Sequence, residues 1–236
     1  MNQPIAIQAR DICVTYQLGS VFRQQLVHHA LNSISFEVKA GENFGVLGRN
    51  GCGKSTLLRL LAGVVKPDSG TLIVNNINSR HLMTLGLGFD NELTGRDNAL
   101  LSMMMQGLKK KDAQSRLDEI ETFSELDKFF RQPVRTYSAG MRARLGFAVA
   151  IQAKTELLLL DETLSVGDQA FKQKAEKVML ERLKGQQTVV FVSHNAEQVN
   201  KLCDHCIWIE QGEIKAAGDT KSVSKLYREF MNKLNS

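Results

Sequence analysis

Gly48-Arg-Asn-Gly-Cys-Gly-Lys-Ser55 spaces three glycines, a lysine and a hydroxyl as a phosphate cradle needs them. Glycines let the backbone curl so that successive N–H groups point at one anion, and a helix starting there adds its positive end. Lys54 would set an ammonium against the β- and γ-phosphates, and the Ser55 hydroxyl would ligate Mg²⁺. A nucleoside triphosphate is implied, with Gly48, Arg49, Asn50, Gly51, Cys52, Gly53, Lys54, Ser55 and Thr56 around it. The site needs a second metal carboxylate, and Asp161 supplies one at the end of Leu157-Leu-Leu-Leu160. Glu162 follows, where a carboxylate can polarise an attacking water. A plainer reading of Asp161-Glu162 is a solvated loop start; the cradle upstream argues against it.

The elements that must hold these groups follow from spacing. Asn43 to Leu47 reads as a short strand running into the glycine turn, and Lys54 to Ala62 has helical spacing in Leu57, Leu58, Leu60 and Leu61. The apolar run Leu157–Leu160 suits a parallel strand buried on both faces, whose C-terminal end is where α/β sheets bind ligands. Ile5 to Ile7, Ile12 to Thr15 and Ile34 to Val38 read as further strands, with a loop around Gly19 to His29. Thr71 to Val74, Thr188 to Val192 and Cys206 to Glu210 complete the strand set. From about Thr94 to Ile151 helical patterns replace them, over Asp97 to Met105, Ala113 to Phe123 and Met141 to Ile151. This stretch is expected to be a helical subdomain inserted into the α/β part. Residues 219–235 read as one amphipathic helix through Val223, Leu226, Tyr227, Phe230, Met231 and Leu234.

Composition narrows the class. The 236 residues are 43% hydrophobic and 23% charged, with 18 Gly against 3 Pro, as in a folded α/β protein. No apolar run approaches the roughly 18–20 residues that cross a bilayer. Met1 to Arg10 shows no export signal, so the chain is expected in the cytosol. Cys13, Cys52, Cys203 and Cys206 are too few and scattered for a disulfide scaffold. A net charge of +5 suits an anionic partner without choosing one.

Further motifs carry a family resemblance. Tyr137-Ser-Ala-Gly-Met141, before a helix and ahead of Asp161, resembles the signature loop of ABC ATPases. Asp161-Glu162 followed by Ser165-Val-Gly-Asp168 resembles their Walker B and D-loop pair, and Phe191-Val-Ser-His194 their switch-histidine loop. Tyr16 sits where the family stacks an aromatic ring on adenine. The motifs occur in the family's order and span the chain. Leu93-Thr-Gly-Arg-Asp-Asn98, Tyr137 with Met141, and Val166-Gly-Asp-Gln-Ala-Phe171 with Lys174 resemble one branch, the ATP-binding subunits of polysaccharide exporters for capsule, O-antigen or teichoic acid.

The resemblance implies a single nucleotide-binding domain over 1–236. Its fold would be a P-loop NTPase (RecA-like) core of mainly parallel sheet, with an N-terminal antiparallel β subdomain and an inserted helical subdomain at about 94–151. It implies an ATPase using ATP and Mg²⁺, the metal held by Ser55 and Asp161. Two copies would pack head to tail, so that Tyr137, Ser138, Ala139, Gly140 and Met141 of one close on the γ-phosphate held by the other. Glu162 and His194 would be catalytic, and Asp168 would link the two sites. The chain would lie on the cytoplasmic face of the inner membrane as a homodimer. It would dock on a polytopic permease, two copies expected, through residues 85–106, and the permease would make most of the contact with the polysaccharide.

Two departures stand out. The glutamine usual in the loop entering the helical subdomain is absent between Arg80 and Met105, leaving Asp90 or Glu92 as substitutes, and Ala139 replaces one of the signature loop's small residues. Another transporter branch remains an alternative, as does a soluble ABC ATPase acting on nucleic acid. Against the latter, the chain shows no coiled-coil heptads and only one ATPase motif set, so no nucleic-acid partner is expected.

Other signals read more plainly. Met103, Met104 and Met105 either face a partner or fill the helical subdomain's core. Cys203-Asp-His-Cys206 has metal-ligand spacing, yet no second pair accompanies it, so a structural role is expected. Cys52 beside Lys54 is expected to have a lowered thiol pKa and to react with alkylating agents. Lys109 to Lys111 read as a solvated helix end, and His28-His29 as a loop pair without a partner.

Overall fold

A computed structural model of the chain describes residues 3–18, 26–83, 88–152, 155–161, 168–183 and 185–234. Its described residues fall into two compact units, one drawn from Met1–Leu82, Glu156–Glu162 and Leu183–Ser236, the other from Met83–Thr155 and Thr163–Arg182.

In the first unit, β1 (Ile5–Leu18), β2 (Leu26–Lys39) and β3 (Asn43–Leu47) lead to α1 (Lys54–Leu61), β4 (Ser69–Val74) and β5 (Arg80–Met83). β1 pairs antiparallel with both β2 and β4, giving a sheet of order β2-β1-β4. The two short strands expected before Thr15 are one strand. Asp11 interrupts the pattern with φ 50°, yet its amide donates to Ser35 Oγ and its carboxylate accepts from the Ser33 and Ser35 hydroxyls. Side chains thus satisfy the bulge, and the strand runs on. β2 begins at Leu26, so His28 and His29 are strand residues rather than loop, and His29 Nδ1 lies 3.2 Å from Thr15 Oγ1.

The second half of the chain contributes β6 (Leu157–Asp161), β7 (Thr188–Ser193), β8 (His205–Glu210) and β9 (Glu213–Asp219) to a sheet of order β5-β6-β7-β3-β8-β9. The pairs β6/β7, β7/β3 and β3/β8 are parallel; β8/β9 is an antiparallel hairpin. The parallel strands carry the unbroken apolar runs, and every residue of β7 is buried. Short β5 and largely exposed β9 lie at the two edges; neither gives a clear strand signal in the sequence, β5 because it has only four residues and β9 because of its polar composition. α7 (Ala196–Leu202) follows β7, and α8 (Thr220–Leu234) packs Tyr227 and Phe230 against Trp208 of β8.

Helices make up most of the second unit: α2 (Gly95–Met105), α3 (Lys110–Gln114), α4 (Leu117–Ser124), α5 (Ala139–Ala150) and α6 (Gln169–Leu183). The single helix read over Ala113 to Phe123 is broken at Ser115, whose hydroxyl donates to the Asp112 carbonyl and competes with the helical ladder. Lys109 to Lys111 are exposed at the N-terminal end of α3, a solvated helix end as expected. Met103 is fully buried with Ile120, Phe130 and Leu145, whereas Met105 is 83% exposed. The methionine alternatives thus divide: Met103 is core and Met105 is surface. Among the described residues, no helix is long and apolar enough to cross a membrane.

Candidate nucleotide-binding site

β3 ends at Leu47, and the loop Gly48 to Gly53 turns from it into α1. Its shape requires glycine at two points. A Cβ on Gly48 would lie 2.4 Å from Cys52 Sγ and 2.5 Å from the Ile209 carbonyl; one on Gly53, at φ 109°, would meet the Ala30 carbonyl at 2.3 Å. Lys54 folds back so that Nζ donates to the Gly48 carbonyl at 2.7 Å and the Arg49 carbonyl at 2.9 Å. Lys54 is only 7% exposed, and among the described residues no carboxylate pairs with it. A buried ammonium with only carbonyl partners is costly unless an anion joins it. The loop therefore fits a phosphate group. Asn50, Gly51 and Ser55 are exposed, and Thr56 is buried in α1.

Parallel register brings two further groups to the same edge. Leu47 of β3 pairs with Ser193 of β7, and Asp161 of β6 pairs with Val192. The C-terminal ends of three adjacent strands thus carry the glycine loop, exposed His194 and half-buried Asp161. This is where parallel sheets bind ligands. Asn195, just past His194, caps α7 by accepting from the amides of Glu197 and Gln198. Glu162 lies outside the described residues. Tyr16, on β1 opposite His28, is half-buried against the unit's core, and its Oη has no hydrogen-bond partner among the described residues.

Residues Tyr137 to Met141 and Asp168 belong to the second unit. Tyr137 is buried; its hydroxyl donates to the Phe129 carbonyl at 2.7 Å, and burial pushes its pKa up to about 12. Ser138 is the N-cap of α5, its Oγ accepting from the Met141 amide at 3.2 Å. Ala139 and Ser138 are exposed, and Gly140 and Met141 half-buried. Asp168 caps α6 by accepting from the Phe171 amide and pairs with Arg144 of α5; the amide bond and then the Arg144 charge hold its carboxyl below the usual range. Of the two substitutes for the missing glutamine, Asp90 closes a turn by accepting from the Glu92 amide, and Glu92 lies 3.5 Å from Arg135.

Two expectations need correction. Burial pushes the Cys52 thiol up, outweighing the opposing pull of Lys54, so Cys52 is not an activated thiol. His29 has Thr15 as a partner. Cys203 and Cys206 are buried free thiols, both raised by burial, and no candidate metal cluster occurs among the described residues. Sequence reading missed Glu210, at the end of β8, and Gly212, in the turn after it, which support the glycine loop. No local signal marks them, since Glu210 stands 161 residues from Arg49.

Comparison with known proteins places this geometry. The ABC transporter family model matches residues 31–165. The O-antigen export system ATP-binding protein RfbB of Klebsiella pneumoniae is 43% identical over 86% of this chain and 82% of its own. The teichoic acids export ATP-binding protein TagH of Enterococcus faecalis is 42% identical over 92% of this chain and 48% of its own. The chain spans about half the length, or less, of the TagH relatives that head the comparison. A dimeric ATP-binding cassette solved in a post-hydrolysis state with ADP and Pi superposes with a TM-score of 0.75 at 20% identity, over 91% of this chain and 98% of that one. CbiO1 of Clostridium perfringens, part of an ABC transporter complex, gives 0.70 at 22% identity, over 99% and 95%. These structures share the mixed-sheet α/β fold seen here. With the glycine loop, Asp161 and His194 on one sheet edge and a family match across more than half its length, the chain belongs to the ABC transporter family.

Proposed function

We propose that this chain is the ATP-hydrolysing subunit of an ABC exporter of a cell-surface polysaccharide. The single observation that carries the nucleotide site is the buried Lys54 ammonium, held at the mouth of the glycine loop by two carbonyls of that loop. The export substrate rests on the relatives named for teichoic acid and O-antigen export.

The chemistry follows from charge. Phosphoryl transfer spreads negative charge over three oxygens, and fixed donors aimed there lower the barrier. Loop amides and Lys54 hold the β- and γ-phosphates, and Tyr16 supports the adenine. Ser55 and Asp161 would hold Mg²⁺, which when bound would neutralise phosphate charge. Glu162 orients or deprotonates the attacking water, and His194 meets the γ-phosphate. The remaining donors come from a second copy. Ser138 Oγ accepts from its own helix, which leaves the hydroxyl proton to donate outward. With Ala139 small and the Gly140 amide at the helix start, the Tyr137–Met141 loop suits a phosphate on the partner, and Asp168 sits between the paired sites. ATP then closes the homodimer, and hydrolysis opens it. The load is a polytopic permease, two copies per assembly, docked near residues 85–106 on the cytoplasmic face of the membrane; the permease makes most of the contact with the polysaccharide.

Glu162→Gln tests the reaction. It should bind ATP, accumulate as a dimer and turn over about 10²–10⁴-fold more slowly. Turnover at the wild-type rate would refute the role of Glu162. Lys54→Ala should lose nucleotide affinity in the same titration, and unchanged binding would remove the cradle.

A further inference from the structure

The glycine loop is held from outside as well as by Lys54. Arg49 Nε donates to Glu210 Oε1 at 3.0 Å and Oε2 at 3.2 Å, and Nη2 donates to Oε1 at 2.5 Å. Glu210 is 6% exposed, so this is a planar, two-toothed grip on a buried carboxylate. Two residues further along, in the β8–β9 turn, the Gly212 amide donates to the Cys52 carbonyl at 3.2 Å, and the Gly212 carbonyl accepts from the Asn32 amide at 2.8 Å. The hairpin turn therefore grips the loop on both sides of exposed Asn50-Gly51. Above the pair, the Phe230 ring of α8 lies 5.8 Å over the Arg49 guanidinium and packs on Trp208 with ring centres 4.9 Å apart.

We propose that Arg49 is a positioning residue whose grip on Glu210 keeps the glycine loop in its phosphate-ready shape, with helix α8 covering that grip through Phe230. Arg49 then acts on the nucleotide only through the backbone it fixes. A loop ordered before binding has less entropy to lose when the phosphates arrive, so the pair tunes affinity. The Arg49 side chain is itself part exposed, so displacing α8 removes the Phe230 contact from the guanidinium and weakens the grip. The inference rests on the nucleotide reading of the loop.

Titration of the full chain with a fluorescent ATP analogue and Mg²⁺, beside thermal melting, tests it. Arg49→Met and Glu210→Gln should each raise Kd about tenfold by releasing the preordered loop. Arg49→Met also strands the buried Glu210 carboxylate and lowers the melting temperature, whereas Glu210→Gln leaves a part-exposed Arg49 and should lower it less. The pair Arg49→Met with Glu210→Met removes both charges, so melting should recover while Kd stays raised. Arg49→Lys keeps the charge without the fork and should fall between. Phe230→Ala, which leaves both charges in place, should raise Kd about two- to threefold through lost cation–π contact. A doubly substituted protein that melts like wild type and binds like wild type overturns the proposal, because the pair is then only structural. So does wild-type affinity in Arg49→Lys and Phe230→Ala together. Wild-type chain that fails to bind the analogue overturns the nucleotide reading, and this inference with it; binding that Lys54→Ala abolishes but the Arg49 and Glu210 changes leave alone overturns this inference only.

Discussion

At the scale of single residues, burial decides more than sequence neighbours do. Cys52 stands two positions from Lys54, where a cation favours thiolate, yet desolvation wins and its pKa rises. Iodoacetamide at neutral pH should therefore label half-exposed Cys13 faster than Cys52, read by peptide mapping; the reverse order would contradict the burial argument. Cys206 follows the same rule, pushed by burial from 9.0 to about 11. The folded chain keeps that proton where the unfolded chain releases it. Its contribution to stability is full below about pH 9 and is lost as pH climbs toward 11. A urea midpoint that falls between pH 8.5 and 10.5, and falls less steeply in Cys206→Ala, is the expected result.

Elements decide how the site residues are aimed. Ser138 serves two masters: it caps α5, and in the proposed dimer it faces the partner's phosphate. These roles separate by substitution. Ser138→Ala loses the cap and should cost about 1 kcal/mol of stability. Ser138→Asp keeps a capping oxygen and a charge that suits the helix dipole, so it should melt near wild type. Its carboxylate would nevertheless repel the γ-phosphate, and ATP turnover should fall at least as far as in Ser138→Ala. An active Ser138→Asp protein would place the loop away from the phosphate. Asn195 sets the matching case in the first unit, where its cap fixes the start of α7 one residue after His194. Asn195→Ala should destabilise by about 1 kcal/mol and lower turnover by freeing the His194 backbone.

At the scale of the whole molecule, the proposed reaction centre is complete only when two chains meet. The first unit carries the glycine loop, Asp161 and His194, and the second carries the Tyr137–Met141 loop and Asp168. Light scattering of Glu162→Gln should read a monomer mass without nucleotide and twice that mass with Mg²⁺ and ATP. A monomer at saturating ATP, both free and with the proposed permease, would sink the shared-site mechanism. Lys54→Ala should stay monomeric under both conditions.

The sequence by itself determined the glycine loop, the apolar strand before Asp161, the signature-like loop and their order, because each is a short-range pattern whose chemistry depends on neighbours in the chain. It also indicated the helical insertion, since periodicity is local. Tertiary structure alone decided the rest. The Asp11 bulge reads as a strand end until Ser33 and Ser35 of another strand satisfy it. Met103 and Met105 have the same side chain, and only the packing of α2 buries one and exposes the other. Arg49 and Glu210 meet across 161 positions of chain. Partners so distant are set by strand order and register, which no window of sequence contains.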